Sequence, residues 1–175
     1  MVSLLYPAFL LITALEMLWE ASISARNSAQ LIQRGAIEIQ PRVFPLMVLL
    51  YVLLYAGSLF EFWFVRRETS ASWMLLFAAI FLIAKGIKFW AVSSLGSFWT
   101  MKVLIVPGSK TVSTGPYKWI RHPNYIAVLM EIAAIALFGK SFVTFAVVFL
   151  SFCVVLFFRI SAEESALRKY TDYGS

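Results

Sequence analysis

The chain has 175 residues, of which 61% are hydrophobic and 14% charged, and its formal net charge is +6. A soluble domain is usually about half apolar and about a quarter charged, so this composition excludes an ordinary water-soluble globular protein. The single cysteine, Cys153, excludes an intrachain disulfide and a cysteine-based metal site.

Five apolar segments reach or approach the roughly 20 residues that a helix needs to cross about 30 Å of hydrocarbon. In chain order they are Val2–Ser22, Val43–Val65, Ser72–Val92, Pro123–Gly139 and Ser141–Ile160. Backbone polar groups find no partners in lipid, and runs such as LLYPAFLLITAL lack the alternation of β-barrel strands. The expected fold class is therefore all-α: one polytopic membrane domain over 1–175 with five transmembrane helices, three within 1–92 and two within 93–175.

The connections between these segments differ in length. The fourth and fifth segments meet at the short stretch FGKS, which predicts a tight antiparallel hairpin. Residues 23–42 are expected to contain a short interfacial helix, with Asn27 as its N-cap and Gly35 beyond its end. The longest polar stretch, residues 93–122, has a length that usually carries function. The tail SAEESALRKYTDY is expected to continue the fifth helix into the cytoplasm as a C-terminal helix.

Basic residues predict the orientation in the membrane. Most of them follow the first, third and fifth segments: Arg26, Arg34, Arg42, Lys102, Lys110, Lys118, Arg121, Arg168 and Lys169. The opposite connections hold Arg66, Arg67 and Lys140. By the positive-inside rule the amino terminus is outside and the carboxyl terminus cytoplasmic. The positive charge therefore indicates topology and contact with anionic lipid head groups, and not nucleic-acid binding.

Ionisable side chains inside the apolar segments are functional candidates, because placing them in lipid is costly. Glu16 and Glu20 lie one turn apart on one helix face and are expected to pair with Arg26 or with a basic residue of another segment. A second group is interpreted as structural, with side chains that reach the membrane interface from near segment ends: Glu61, Lys85 and Lys88.

Two polar sites lie near the ends of the last two segments. Arg159 and Glu163 are four residues apart and share a helix face, which on spacing alone favours an ordinary surface salt bridge. The second site is the stretch GPYKWIRHPNY, in which Pro123 suits the first turn of a helix. Arg121 and His122 would then lie at the positive end of that helix dipole, which favours anion binding.

The helix that follows this stretch has a polar edge. Asn124 and Glu131 are seven residues apart on the same face, which therefore points into protein or a water-filled cleft. On composition alone the aromatic residues of the stretch are typical of an interfacial belt: Tyr117, Trp119 and Tyr125.

Two runs together carry a resemblance to a known family. The first comprises Gly115, Tyr117 and Arg121-His122-Pro123-Asn124-Tyr125, and the second Phe157-Phe158-Arg159-Ile160, Glu163-Glu164 and Leu167. In this order and separation they resemble the signatures of the isoprenylcysteine carboxyl methyltransferase family of membrane enzymes, over about residues 93–170. SARNSAQLIQRGAIE and the FWT segment are similar to a bacterial branch that methylates phenolic or pyrone polyketide lipids, the alkylresorcinols and alkylpyrones. One departure is Ala127, where prenylcysteine enzymes usually have glycine.

The resemblance implies an S-adenosylmethionine-dependent methyltransferase. The residues expected to bind this cofactor are Tyr117, Arg121, His122, Asn124, Tyr125 and Glu164. Arg159 and Glu163 are expected to be catalytic and to orient the acceptor oxygen. A carboxylate acceptor needs no base, whereas a phenol or enol would use Glu163 or His122.

The resemblance also implies partners and a location. The expected partners are a lipophilic small-molecule substrate, entering sideways between helices, and membrane lipids, with no nucleic acid. The expected location is a bacterial inner membrane. No metal site is expected, because one histidine and scattered carboxylates do not form a ligand cluster.

Three other classes share some of these features. Sterol-type reductases also carry RHPNY, there for NADPH, but have a glutamate where this chain has Val128. Phospholipid N-methyltransferases share the cofactor and the architecture. A transporter or assembly protein is the non-enzymatic alternative, and the clustering of polar groups at one membrane level speaks against it.

Overall fold

The computed structural model of the chain describes residues 2–40 and 42–173, so the terminal Gly174 and Ser175 lie outside the described residues. The helices are α1 (Val2–Gln33), α2 (Val43–Val65), α3 (Ala71–Leu95), α4 (Pro123–Phe138) and α5 (Phe142–Tyr170). Two three-residue strands, β1 (Ile37–Ile39) and β2 (Val103–Ile105), and two short 3-10 turns, Gly96–Phe98 and Gly115–Lys118, complete the elements. The prediction of an essentially all-α protein is confirmed.

The helices are those of a multi-pass membrane protein. Within the described ranges, four are long and apolar enough to cross a bilayer, lying at Leu4–Gln33, Val43–Val65, Ala71–Phe98 and Phe142–Tyr170. The fifth apolar helix, α4, has 16 residues, or about 24 Å at 1.5 Å per residue, which is less than a full hydrocarbon thickness. Because α4 is largely buried among the longer helices, its length does not have to match the bilayer.

The predicted tight hairpin of α4 and α5 is confirmed, and its turn is stabilised by hydrogen bonds to α2 and to the residues that follow α2. Glu61 on α2 accepts hydrogen bonds from the first free backbone N–H groups of α5, at Val143 (3.2 Å) and Thr144 (2.9 Å). A carboxylate is favourable at that helix end. Arg67 donates to the same carboxylate and, at 2.7 Å, to the carbonyl of Lys140. Glu61 is thus structural, as predicted, and it is buried among its partners.

The first helix is longer than predicted, and the separate interfacial helix is wrong. α1 continues without a break to Gln33, since no glycine or proline interrupts the sequence there. Ser28 and Leu31 are buried, so the extension packs on the protein. Asn27 is therefore not an N-cap, and its side-chain amide donates to the carbonyl of Trp99 at 2.8 Å. Gly35 does follow the helix end, with a φ of +81° that favours glycine.

A small sheet joins the two long connections. β1 pairs antiparallel with β2, with Ile37 opposite Ile105 and Ile39 opposite Val103. The ladder packs on Ala166 near the end of α5. The loop that follows β2 is thereby fixed against the C-terminal part of α5, where the Gly108 N–H also donates to the Tyr170 carbonyl at 2.8 Å.

Charged side chains of α1, α3 and α4 pair with one another inside the bundle. The Lys88 ammonium lies 2.6 Å from Glu20 and 3.0 Å from Glu131. The Lys85 ammonium lies 2.7 Å from Glu16, 2.9 Å from Glu131 and 3.3 Å from Glu20. The expectation that both lysines extend to the interface is wrong, because carboxylates of two neighbouring helices lie within reach. We call these five residues the charged cluster: Glu16, Glu20, Lys85, Lys88 and Glu131. Glu16 and Glu20 thus pair with basic residues of another helix, which is one of the two alternatives predicted for them.

Candidate active site

The N-terminus of α4 is positioned by the 3-10 turn before it. Gly115 begins this turn with a φ of +61°, and a Cβ there would lie 2.0 Å from the Ser94 hydroxyl of α3. Only glycine adopts this positive φ without strain and also leaves room for Ser94, so any other residue would displace the turn from α3. Pro123 then starts α4 and leaves His122 at its N-cap position. The turn chemistry of the GPYKWIRHPNY stretch thus brings its polar side chains to the start of α4.

His122 connects this helix start to α5. Its Nε2 lies 3.1 Å from a carboxylate oxygen of Glu164, and its ring stacks on Tyr125 with 5.4 Å between ring centres. The Glu164 carboxylate also lies 3.8 Å from the exposed Arg121 and 3.4 Å from Arg168. The two motifs therefore meet in space, across the hairpin that separates them in sequence.

The direct Arg159–Glu163 salt bridge that spacing favoured is not formed; a tyrosine hydroxyl joins the two residues instead. Arg159 Nε donates to the Tyr125 hydroxyl at 2.9 Å, and that hydroxyl donates to Glu163 at 2.5 Å. A second Arg159 nitrogen donates to the Met101 carbonyl at 2.6 Å. A helix spacing of four brings the arginine and the glutamate to one face, but Tyr125 of α4 fills the space between them.

One cavity of about 380 Å³, the larger cavity, lies on the loop side of this hydrogen-bonded chain. Residues 102–106 and 109–113, the start of α4 and Glu163 form its wall. Five of the predicted cofactor residues line it: Tyr117, Arg121, His122, Asn124 and Tyr125. Glu164 is reached through His122, which it contacts. Burial, and secondarily the charge of Glu163, raises the pKa of the Tyr117 hydroxyl well above its usual range, so it remains a neutral donor.

A second cavity of about 220 Å³, the smaller cavity, lies between α1, α2, α3 and α4. Its walls are mainly apolar and aromatic: Met17, Phe44, Met47, Tyr51, Tyr55 and Phe81. Two of its lining residues, Leu18 of α1 and Val48 of α2, are 63% and 45% exposed, on surfaces that face lipid in a membrane protein. The smaller cavity is therefore an apolar chamber whose wall includes lipid-facing residues.

The two cavities meet at the Arg159–Tyr125 contact. The residues common to both walls are Trp99, Thr100, Asn124, Tyr125 and Arg159. Two polar atoms of this shared wall, Asn124 Oδ1 and Trp99 Nε1, are buried without a hydrogen-bond partner among the described residues. Buried polar atoms are rarely left unpaired. Their position suits them to bind a ligand at the junction.

Residues 74–169 match the isoprenylcysteine carboxyl methyltransferase family. This chain belongs to that family. YpbQ of Bacillus subtilis strain 168, described as an uncharacterized protein, is 35% identical over 152 residues, which cover 87% of this chain and 90% of YpbQ. An uncharacterized protein of Haemophilus influenzae is 28% identical over 152 residues, covering 85% of this chain and 87% of the relative.

Membership assigns the chain to the membrane methyltransferases as a class, whose methyl donor is S-adenosylmethionine. The match includes both motifs, and the structure places their side chains around one junction. Sequence reasoning noted the FWT segment only as part of the resemblance and assigned no role to Trp99 or Thr100. No spacing signal could have found them, since they reach the junction of the two cavities through the turn after α3.

Proposed function

We propose that this chain is an integral membrane, S-adenosylmethionine-dependent O-methyltransferase that acts on a lipophilic acceptor. The observation that carries the proposal is the meeting of the two cavities at Arg159 and Tyr125. One cavity has polar walls at the start of α4, and the other is mainly apolar and is lined in part by exposed residues of α1 and α2. A water-soluble methyl donor and a lipid acceptor need such separate chambers with one shared point.

The residues of the larger cavity fit S-adenosylmethionine, which carries a carboxylate, an ammonium and a sulfonium. The α4 N-terminus with Arg121 and His122 offers donors for the carboxylate. The rings of Tyr117 and Tyr125 offer a surface for adenine or for the sulfonium by cation–π attraction. The unpartnered Asn124 oxygen is an acceptor for a donor group of the same molecule. Glu164 supports this site by holding His122 and adds a negative charge for the ammonium.

Arg159 is placed to hold the acceptor oxygen. Two of its nitrogens are engaged by Tyr125 and by the Met101 carbonyl. The third lies 3.2 Å from the Met47 sulfur, a weak acceptor that an oxygen of the substrate would displace readily. S-adenosylmethionine would supply an electrophilic methyl group to this oxygen. Holding the acceptor oxygen at a fixed position beside the cofactor is the main catalytic contribution we assign to the protein.

The acceptor class determines whether a base is needed. A prenylcysteine-like carboxylate is already ionised, and the Arg159 guanidinium would stabilise its charge. A phenolic or pyrone lipid would lose a proton, which Glu163 can take through the Tyr125 hydroxyl; His122 is the alternative base. We favour a bacterial inner membrane with the carboxyl terminus in the cytoplasm, because the cofactor is made there and the larger cavity lies at that end.

Transfer of a tritiated methyl group from S-adenosylmethionine into a total lipid extract tests the proposal, with the protein in detergent or lipid nanodiscs. We expect label in an extractable lipid, and calorimetric binding of S-adenosylmethionine. Binding of NADPH without binding of S-adenosylmethionine would contradict the assignment and indicate a reductase. Label on a lipid amine would instead indicate phospholipid N-methylation.

A further inference from the structure

The charged cluster has no part in the proposed site, yet it lies in the wall of the smaller cavity. All five of its residues line that cavity: Glu16, Glu20, Lys85, Lys88 and Glu131. The side chains of Glu16 and Lys85 are 30% and 20% accessible, whereas that of Glu131 is 5% accessible. The cluster is therefore a polar face of an otherwise apolar chamber, and Glu16 and Lys85 are its most accessible side chains.

Joining three helices does not require such a cluster. Replacing a buried ion pair by apolar side chains of similar volume is often neutral or stabilising, because desolvation of the charges offsets their attraction. Ionisable groups at membrane depth more often mark a substrate path or site. A mainly apolar pocket with a few converging polar groups is also the usual form of a small-molecule site.

The hydrogen-bonding capacity of the cluster indicates what it would bind. Lysine has three donor protons, and the Lys85 ammonium already contacts three carboxylates. Each carboxylate has about four lone-pair sites, so acceptor capacity is left over and donor capacity is nearly used up. An occupant that donates hydrogen bonds would be bound, whereas a group that only accepts would find few donors.

The formal charge of the whole cavity wall is also informative. Three carboxylates are matched by three cations, which are Lys85, Lys88 and Arg159. An occupant that is neutral over the part beside the cluster leaves this balance unchanged. A carboxylate of the occupant placed beside the cluster would add an unmatched negative charge where the lysine donors already contact carboxylates.

The cluster lies deeper in the chamber than the reacting position. Glu131 follows Tyr125 by six residues of α4, about 9 Å along the helix axis. Arg159 lines the same cavity at the junction, and Thr13 and Phe81 line it as well, on the helices that carry the cluster. One elongated molecule can thus contact both the junction and the cluster.

We propose that the charged cluster binds a second polar group of the methyl acceptor, a hydroxyl that is not the one methylated. The acceptor is then an amphiphile with a hydrocarbon tail and at least two oxygen functions, of which one donates to Glu16 and the carboxylates beside it. This inference rests on the proposed function and assigns Glu16 and Lys85 as determinants of acceptor specificity.

The experiment uses the intact protein in lipid nanodiscs, tritiated S-adenosylmethionine and a total bacterial lipid extract. The labelled product is isolated and treated with acetic anhydride, and mass spectrometry counts the acetyl groups taken up by free hydroxyls. We expect at least one. A product that takes up none would overturn the inference while leaving the methyltransferase in place. Absence of any labelled lipid would contradict the proposed function itself.

Variants test the contact with the same purified lipid as acceptor. Glu16→Leu should raise KM for the lipid at least tenfold, while Kd for S-adenosylmethionine changes less than twofold. Glu16→Gln keeps an acceptor oxygen and should stay within threefold of wild type. Lys85→Met, the second variant, removes the ammonium that holds Glu16 and should also raise KM. Glu61→Gln removes a charge that is more deeply buried and lines neither cavity, and it should leave KM unchanged. Unchanged KM in Glu16→Leu and Lys85→Met would overturn the inference.

Discussion

The two ends of the α4–α5 hairpin each hold a glutamate against neighbouring helices, but their surroundings differ. At the turn, Glu61 has its partners within the protein: two backbone N–H groups, the Thr144 hydroxyl and Arg67. At the open end, Glu163 has the Tyr125 hydroxyl and faces a cavity of about 380 Å³. Unpartnered buried atoms of Trp99 and Asn124 lie at the open end.

The two ends show how a structural charge can be separated from a functional charge in a membrane protein. Sequence position alone places both glutamates near a helix end, where a polar group is inexpensive. At the turn the Glu61 carboxylate has its hydrogen bonds complete within the protein, so its charge stabilises the fold. The open end keeps capacity for another molecule. Substitutions at the two ends should therefore affect different measurements.

The largest effect is expected from Arg159→Ala at the open end. Losing the guanidinium removes the group we assign to the acceptor oxygen and also frees Tyr125, so methyl transfer should fall at least about 100-fold. Binding of S-adenosylmethionine by calorimetry should change less than threefold. Arg34→Ala, at an exposed residue between α1 and β1, is the control and should keep full activity. If methyl transfer by Arg159→Ala fell less than tenfold, the open end would not be functionally distinct from the turn end.

Tyr125→Phe should have the next largest effect. Phenylalanine keeps the ring that stacks on His122 but loses the hydroxyl that joins Arg159 to Glu163. We expect kcat to fall about 10- to 100-fold through misplaced Arg159, with little change in cofactor affinity. Tyr170→Phe removes a hydroxyl outside the junction and serves as the matched control. Equal kcat values for the two variants would show that the Tyr125 hydroxyl does not organise the site.

Glu61→Gln should give the opposite result at the turn end. The amide cannot accept as strongly from the α5 N-terminus and leaves Arg67 without a counter-charge, so stability should fall by about 1–3 kcal/mol. Specific activity of the folded fraction should stay near wild type. Thermal unfolding in detergent measures the stability. Glu68→Gln, in the exposed turn after α2, is the control for loss of charge alone. If the specific activity of the folded fraction also falls, the turn end of the hairpin is coupled to catalysis.

The smallest effect concerns the loop over the larger cavity. Asp172 accepts from the backbone N–H and hydroxyl of Thr111 at 2.7 and 2.9 Å, and these bonds lower its pKa below the usual value. A lowered folded-state pKa stabilises the loop above the ordinary aspartate value of about 3.9. This contribution is lost as pH falls through the lower folded-state value. The protection of the Thr111 amide, which is its exchange rate relative to the intrinsic rate at the same pH, should therefore fall in that acidic range. Asp172→Asn should abolish this pH dependence of the protection. Equal protection above and below that range would contradict the contact.

Much of the architecture could be predicted because membrane helices follow from local apolar runs. α2 agrees with its predicted bounds, and the FGKS turn predicted the hairpin. The predicted first segment ended at Ser22 because the polar residues after it are typical of a connecting loop. The burial of Ser28 and Leu31 against the protein stabilises the helix beyond that point. The β1–β2 ladder was missed, since each strand has three residues and its partner is more than sixty residues away.

The candidate site was predictable where motifs carried it. His122 and Glu164 meet, as two motifs that flank a hairpin should. The Tyr125 bridge between Arg159 and Glu163 could not be predicted, because spacing reports a shared face and not what fills it. The cluster around Lys88 was predicted only in part, as a pairing of Glu16 and Glu20 with Arg26 or with a basic residue of another segment. Which lysines are the partners, and that Glu131 joins them, depends on the packing of three helices, which a single sequence does not contain.

A structure of the protein with S-adenosylhomocysteine bound, determined in a lipid environment, would show directly whether the methyl donor lies at the junction of the two cavities. The account predicts that the ligand occupies the larger cavity with its sulfur facing the Arg159–Tyr125 junction and the opening to the smaller cavity. A ligand bound elsewhere, or one whose sulfur faces away from Arg159, would contradict the claim that methyl transfer takes place where the two cavities meet.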